Sequence, residues 1–263
     1  HTFRTENARA LTDWAASIKV PFSSAAFLNF IASHDGIGVR PAEGLLTGEE
    51  IQGLVDQTLE HNGLVSYKSN QDGTKSVYEL NITLYDMLNK PDYTPLDLGV
   101  QRFMASQAII LSLAGVPGIY IHSLFGAPNS HSEVQKTGRA RSINRQKYQV
   151  RDLEKELADP ETLSFRVFQA YTHYLQIRKT HPAFNPLASQ DILNLSPDVF
   201  SLIRTSQDQE KKVLCIINIT DTRVDLSLDQ EIHDSLDWED LLSGKIFTPG
   251  MIVLEPYQVV WLV

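Results

Sequence analysis

Two short apolar runs constrain the fold of this 263-residue chain more than any other feature. Residues 26–32 (AFLNFIA) and 116–121 (VPGIYI) are almost wholly apolar, and polar or glycine-rich sequence follows the first of them directly. Such runs are typical of strands that are buried on both faces of a parallel sheet. The first part of the chain is therefore predicted to have an α/β architecture.

Helical periodicity surrounds these two runs. Apolar residues recur at helical spacing over 11–18, 97–114 and 167–175, and a further helix is predicted over 48–61. The segment from about 40 to 95 is longer than a plain connection, which indicates an inserted subdomain with a functional role.

From about residue 191 the sequence changes from helical periodicity to short apolar segments separated by turn residues. Short strands separated by turns are predicted over 199–204, 213–219, 224–228 and 252–263, which indicates an all-β antiparallel module. Two parallel strands cannot cover both faces of their own sheet. Either further strands lie outside this chain, or the two runs are not buried strands.

Composition excludes several classes of function. A net charge of −9 argues against nucleic acid and anionic membranes as partners, and no apolar run approaches the ~20 residues that span a bilayer. No secretory leader opens the chain, and the one cysteine, Cys215, fits a reducing compartment, so we expect a cytoplasmic protein. Cys215 lies in an apolar run and is predicted to be a buried, inert thiol. We find no metal-ligand spacing and no phosphate-binding glycine loop.

Candidate site residues follow both predicted strands. Asp35 comes directly after the first, between His34 and Gly36, and the carboxyl ends of barrel strands face the substrate in α/β barrels. Asp-Gly is also a common turn pair, and composition alone favours that interpretation.

Three arginines lie within seven positions after the second strand, at Arg139, Arg141 and Arg145. Guanidinium groups in an acidic protein suggest binding of hydroxyl-rich or anionic groups, although a solvated basic surface is about as well supported. Tyr78 and Glu79 could cover the same site, but their spacing favours an ordinary exposed strand.

A family resemblance decides between these alternatives. The segment 30–39 (FIASHDGIGV) resembles the His-Asp segment of the α-amylase superfamily, glycoside hydrolase family 13, in the form typical of sucrose phosphorylases. Further segments resemble the same enzymes in family order: 78–83 (YELNIT), 114–120 (AGVPGIY), 141–145 (RSINR) and 254–261 (LEPYQVVW). In its general residue pattern the sequence most resembles the glucosylglycerate phosphorylase branch.

The resemblance implies a fold and a layout. The chain would be the last part of a (β/α)8 TIM barrel followed by an all-β antiparallel C-terminal domain. Residues 1–188 would hold the barrel part, with the inserted subdomain at about 40–95, and residues 189–263 the β-domain. The chain would begin at the helix before barrel strand seven, as a C-terminal fragment.

The resemblance also implies roles for individual residues. Asp35 would stabilise the transition state by binding glucose hydroxyls more strongly as the ring flattens. His34 would hold a neighbouring hydroxyl, and Arg145 would contact the far end of the same glucose. Tyr78 would lie where phosphate or acceptor enters. Arg141 matches a family position to which the resemblance assigns no firm role.

The resemblance places the nucleophile and the general acid/base upstream of this chain. Retaining glycosidases need both carboxylates about 5 Å apart, so we expect no turnover from this chain alone. No cofactor is implied; the expected ligands are an α-glucoside and inorganic phosphate as co-substrate. The expected protein partner is the missing N-terminal half of the barrel or another copy of the chain. A family 13 hydrolase and a non-catalytic carbohydrate-binding fragment remain alternatives.

Glu79 departs from the family pattern, because the sucrose-specific members carry glutamine at that position. A carboxylate accepts hydrogen bonds but does not donate them unless it is protonated, and it repels phosphate. This substitution puts sucrose in doubt, so the reaction that the resemblance implies is conversion of sucrose or a related α-glucoside such as glucosylglycerate, with phosphate, to α-glucose 1-phosphate.

Overall fold

The computed structural model describes residues 1–20, 24–228, 237–248 and 250–263. The chain divides into two compact units, each built from separate stretches of sequence. Unit 1 comprises His1, Phe30–Phe103 and Ile119–Gln169, and unit 2 comprises Thr2–Asn29, Met104–Gly118 and Ala170–Val263. The domain limits expected from the sequence, at 188/189 and about 40–95, stay a prediction.

The four helices that the periodicity predicts are present as α2, α3, α5 and α9, and shorter helices that it did not predict lie before or between them. Thr47 and Glu50 form a reciprocal capping box at the start of the predicted 48–61 helix, and Gly115, with φ of +119°, follows the helix predicted over 97–114. The described helices are α1 (Thr2–Thr5), α2 (Arg9–Ser17), α3 (Gly48–Glu60), α4 (Leu84–Leu88), α5 (Leu96–Ser112), α6 (Ile121–Leu124), α7 (His131–Thr137), α8 (Val150–Glu156) and α9 (Leu163–Thr180).

The strands form several small sheets. The described strands are β1 (Leu28–Asn29), β2 (Ile37–Gly38), β3 (Leu64–Ser69), β4 (Lys75–Asn81), β5 (Val116–Pro117), β6 (Ser189–Leu193), β7 (Val199–Thr205), β8 (Lys212–Asn218), β9 (Val224–Leu228), β10 (Trp238–Glu239), β11 (Ile246–Phe247), β12 (Gly250–Leu254) and β13 (Val259–Leu262).

The two apolar runs pair in parallel, as predicted, but they are not buried. β1 pairs with β5, with Leu28 opposite Val116, and these side chains are 65% and 46% exposed. The prediction of strands buried on both faces is therefore wrong for this structure. The described residues supply only these two strands to the sheet, and the face that carries Leu28 and Val116 stays exposed. The second strand is also shorter than predicted: it ends at Pro117, and α6 begins at Ile121.

The antiparallel module predicted from about residue 191 is confirmed in unit 2. Its larger sheet has the order β13-β8-β7-β6, and β9 pairs with β12 and β10 with β11. The strand predicted over 252–263 is instead two strands, β12 and β13, because a turn at 255–258 separates them. Cys215 on β8 is fully buried, as predicted, and burial raises the pKa of its thiol to about 12.

In unit 1, β3 and β4, which lie in the segment predicted as an insertion at about 40–95, form with the preceding β2 a three-stranded antiparallel sheet of order β2-β4-β3. Helix α3 packs against it around a small apolar core of Val39, Val55, Leu80, Ile82 and Met87. The segment between 122 and 145, which carries the three arginines, contains α7 and a 3₁₀ turn at Ala140–Asn144. Among the described residues, no helix combines the length and apolarity needed to cross a bilayer.

Candidate active site

A tight turn in unit 1 presents the Asp35 carboxylate. The backbone N–H of Gly36 donates to the Ser33 carbonyl, and the N–H of Asp35 donates to Ser33 Oγ. Gly36 has a φ of +106°, and a Cβ there would lie 2.6 Å from the Leu80 carbonyl oxygen. Glycine is therefore required at this position both for the backbone angle and for the close approach to β4.

Three side chains converge on one oxygen of Asp35. Arg145 Nη2 lies 2.9 Å from Asp35 Oδ1, Arg141 Nη1 lies 3.1 Å from it, and His34 Nε2 lies 3.3 Å from it. The Asp35 side chain remains 35% exposed, so part of the carboxylate faces solvent. Charge-assisted hydrogen bonds of this kind fix the orientation of a carboxylate.

The two arginines sit on a braced turn. Gly138, in the left-handed region with φ of +66°, ends α7, and the 3₁₀ turn Ala140–Asn144 follows it. The turn is anchored by Ser130 N–H donating to the Ile143 carbonyl and by the Tyr120 hydroxyl donating to the Asn144 carbonyl. These bonds hold the backbone that carries Arg141 and Arg145.

Glu79 lies near Asp35 and forms a second ion pair with Arg141. Its carboxylate accepts from Arg141 Nε at 2.8 Å, from Arg141 Nη2 at 3.1 Å and from Asn81 Nδ2 at 2.8 Å. The hydrogen bond to Glu79 is the main cause of the raised pKa of the Arg141 guanidinium. The pair is bidentate, which gives Arg141 a defined orientation.

Tyr78 and His34 are the more open members of the predicted set. Tyr78 is 42% exposed and, with Arg40 and Pro41, lines a surface depression next to Glu79. The His34 side chain is 66% exposed, and its carbonyl accepts from Arg145 Nε at 2.9 Å. All six residues predicted for the site, His34, Asp35, Tyr78, Glu79, Arg141 and Arg145, thus lie in unit 1.

The structure adds residues that the sequence analysis did not single out. Asn81 is fully buried and joins the two carboxylate residues, because its amide nitrogen donates to the Asp35 carbonyl and to Glu79. Asn144 and His122 line a small cavity behind the turn at Gly36. Both asparagines lie inside motifs quoted for the family resemblance, which was the signal available for finding them.

His122 packs against Tyr120 and the backbone near Gln146. Its Nε2 is 2.8 Å from the Gln146 carbonyl, its ring stacks on Tyr120 with centroids 4.8 Å apart, and burial lowers its pKa. Within the described residues, no cluster of His, Cys, Asp and Glu side chains has the arrangement of a metal site.

Several curated proteins match the whole length of this chain. It is 44% identical over 264 residues to a glucosylglycerate phosphorylase of Allomeiothermus silvanus and 34% identical over 263 residues to one of Escherichia coli. It is 28% identical over 196 residues, 70% of the chain, to a sucrose phosphorylase of Agrobacterium vitis. The chain is a homologue of the sucrose phosphorylase-type enzymes. The resemblance read from the five motifs is thereby confirmed.

The match covers only part of each relative. The chain spans 45% of the length of the Allomeiothermus silvanus protein, 46% of the Escherichia coli protein and 36% of the Agrobacterium vitis protein. No family model matches the chain.

Solved structures show the same fold relationship. A sucrose 6F-phosphate phosphorylase from Thermoanaerobacter thermosaccharolyticum superposes with a TM-score of 0.68 at 20% identity, over 94% of this chain and 45% of that one. An Anoxybacillus α-amylase superposes with a TM-score of 0.50 at 13% identity, over 69% of this chain and 35% of that one. Proteins of this fold combine a TIM barrel with a C-terminal β-domain, which agrees with the predicted fold class.

Proposed function

We propose that this chain supplies part of the sugar site of a retaining α-glucoside phosphorylase. The enzyme would exchange the C1–O bond between glucose and its aglycone for a C1–O bond to inorganic phosphate, giving α-glucose 1-phosphate and the free aglycone. Homology to glucosylglycerate and sucrose phosphorylases supports the reaction class.

The observation that most supports this proposal is that the Asp35 carboxylate is held by Arg141, Arg145 and His34. A fixed, partly exposed carboxylate can accept hydrogen bonds from sugar hydroxyls without moving. Those bonds strengthen as positive charge develops on the ring, so Asp35 would stabilise the transition state more than the bound substrate.

The other site residues would divide the remaining work. His34 would hold a hydroxyl beside the one bound by Asp35, and Arg145 would contact the same glucose while keeping Asp35 in place. Tyr78, in its open depression, would face the entering phosphate or acceptor. Glu79 would act mainly by orienting Arg141, because its carboxylate already accepts three hydrogen bonds.

The proposed donor is glucosylglycerate. Identity to proteins named glucosylglycerate phosphorylase reaches 44% over the whole chain, against 28% over 70% of the chain for a sucrose phosphorylase. The carboxylate of Glu79, where sucrose-specific members have glutamine, favours the same choice.

We further propose that the nucleophile and the general acid/base come from a part of the protein outside this chain. The relatives are about twice as long as the chain, and the paired strands β1 and β5 expose Leu28 and Val116. Such an open sheet would be covered by the remaining barrel strands or by a second copy.

The test is a product assay on the full-length protein with glucosylglycerate and sucrose, with and without phosphate. Phosphate-dependent release of α-glucose 1-phosphate from glucosylglycerate is the expected result. The Asp35→Asn variant should lose at least about 100-fold in kcat, since it weakens a group that acts in the transition state. Free glucose irrespective of phosphate would make the protein a hydrolase, and sugar binding without any turnover would make it a binding protein.

A further inference from the structure

The positive charges of the two arginines in the sugar site are offset by carboxylates, so these arginines attract an incoming anion only weakly. Arg141 is paired with Glu79 and Asp35, and Arg145 is paired with Asp35. Two guanidinium groups thus face two carboxylates, so their charges offset each other. A phosphate or carboxylate that enters this site must find its attraction elsewhere, because an oxyanion near Asp35 and Glu79 is repelled.

A second group of basic side chains shares Arg145 with the site. An open concavity in unit 1 is lined by Glu133, Thr137, Arg139, Ser142, Arg145 and Lys147. Arg145 belongs to both places, because it also holds Asp35. The concavity is therefore continuous with the residue that is proposed to contact glucose.

Two cations in this concavity have no ion-pair partner among the described residues. Arg139 and Lys147 are exposed, and neither forms an ion pair with a carboxylate in the part of the chain that the structure describes. The acid on the rim, Glu133, accepts from Lys136 Nζ at 2.7 Å, so its charge is already offset. The pKa of Glu133 is lowered mainly by its hydrogen bond with Lys136 and to a smaller extent by the charge of Lys147. In a chain of net charge −9, two such cations beside a shared arginine make a local excess of positive charge.

The local fold explains why the charged side chains of this concavity, and not its hydroxyl groups, are available to bind a ligand. Thr137 Oγ1 donates to the Glu133 carbonyl and lies 2.6 Å from Ser142 Oγ, so these two hydroxyls already have partners. Gly138 reverses the chain directly after α7, which places Arg139 at the rim. Among the side chains that line the concavity, the guanidinium of Arg139 and the ammonium of Lys147 have no side-chain hydrogen bond to the described part of the chain.

We propose that Arg139 and Lys147, with Arg145, form a subsite for a small oxyanion of the reaction, either inorganic phosphate or the carboxylate of an acidic aglycone. This inference rests on the proposed function for the identity of the anion. The subsite would attract the anion on the Arg139 and Lys147 side of Arg145, whereas Tyr78 would face the phosphate or acceptor where it enters beside Glu79. A planar guanidinium and a mobile ammonium together suit the tetrahedral and planar oxyanions equally.

The test uses calorimetric titration of the full-length protein with inorganic phosphate and, separately, with glycerate. The Arg139→Gln/Lys147→Gln variant is compared with a matched control, Arg151→Gln/Lys75→Gln, which removes the same charges from exposed positions outside the concavity. The double variant should bind the cognate anion about 20-fold more weakly, or about 1.8 kcal/mol, and the control should bind like the unmodified protein.

Comparing the phosphate titration with the glycerate titration identifies the anion, and both titrations measure binding without turnover. Loss of phosphate affinity alone assigns the subsite to the co-substrate, and loss of glycerate affinity alone assigns it to the aglycone. Unchanged affinity for both, an equal loss in the control, or no binding of either anion to the unmodified protein would overturn the subsite. The product assay decides the phosphorylase proposal separately, so the two failures are distinguishable.

Discussion

Replacing Glu79 by glutamine isolates the ion pair that orients Arg141. The substitution keeps the shape of the side chain but removes its charge, and it turns one of two acceptor oxygens into a donor that faces N–H groups of Arg141 or Asn81. The Glu79 side chain is only 6% exposed, whereas that of Arg141 is 40% exposed.

The loss of unfolding free energy expected for Glu79→Gln lies between the loss for a buried ion pair and the loss for an exposed ion pair. Breaking a buried ion pair costs about 3–5 kcal/mol, and exposed pairs contribute about 0–1 kcal/mol. Arg141 keeps solvent contact and retains Asp35 as a second partner. We therefore expect Glu79→Gln to lower the free energy of unfolding by about 2 kcal/mol.

Urea unfolding at pH 7 measures this loss. With an m-value of about 2–3 kcal/mol/M, the midpoint should fall by about 0.7–1 M. Glu60→Gln is the matched control, because Glu60 also pairs with a cation, Lys90, but at an exposed position; its midpoint should not change. In the Arg141→Gln background, Glu79→Gln should cost much less, because the pair is already broken. A midpoint for Glu79→Gln equal to that of the unmodified protein or of Glu60→Gln would refute the reasoning.

Two further substitutions test other parts of unit 1. Burial raises the pKa of Asp86 from an ordinary 3.8 to about 6, so its protonated form stabilises the fold fully below pH 4, and this stability is lost as the pH rises through about 6. Asp86→Asn should therefore raise the unfolding free energy by up to about 3 kcal/mol at pH 8 and change it little at pH 4; a variant that parallels the parent at every pH would contradict this. Gly36→Ala should cost about 2–4 kcal/mol in urea unfolding, because its Cβ would meet the Leu80 carbonyl. Gly73→Ala, also at positive φ but in open space, should cost about 1 kcal/mol, and equal losses would show that the contact is unimportant.

Periodicity was sufficient for most of the secondary structure. The helices α2, α3, α5 and α9 follow a period of 3.6 residues and β9 follows a period of 2, which report which face of an element is apolar. The burial of 26–32 and 116–121 was predicted wrongly for the same reason. An apolar run records the environment that suits it, whereas actual burial depends on layers supplied by other segments, and here Leu28 is left 65% exposed.

The site was predictable as a set of residues but not as an arrangement. The motifs identified Asp35, Glu79, Arg141 and Arg145 as members, and the structure brings these side chains into one network. Glu79 and Arg141 are 62 positions apart, and Asp35 and Arg145 are 110 positions apart. Spacing along the chain carries no information about such pairs.

The sequence by itself therefore determined the family, the element types and the residue types available for binding. Only the tertiary structure decided which arginines are offset by carboxylates and which basic residues, Arg139 and Lys147, remain open to a ligand. The physical reason is that hydrogen bonding and ion pairing act over about 3 Å, so they depend on chain segments that folding brings together.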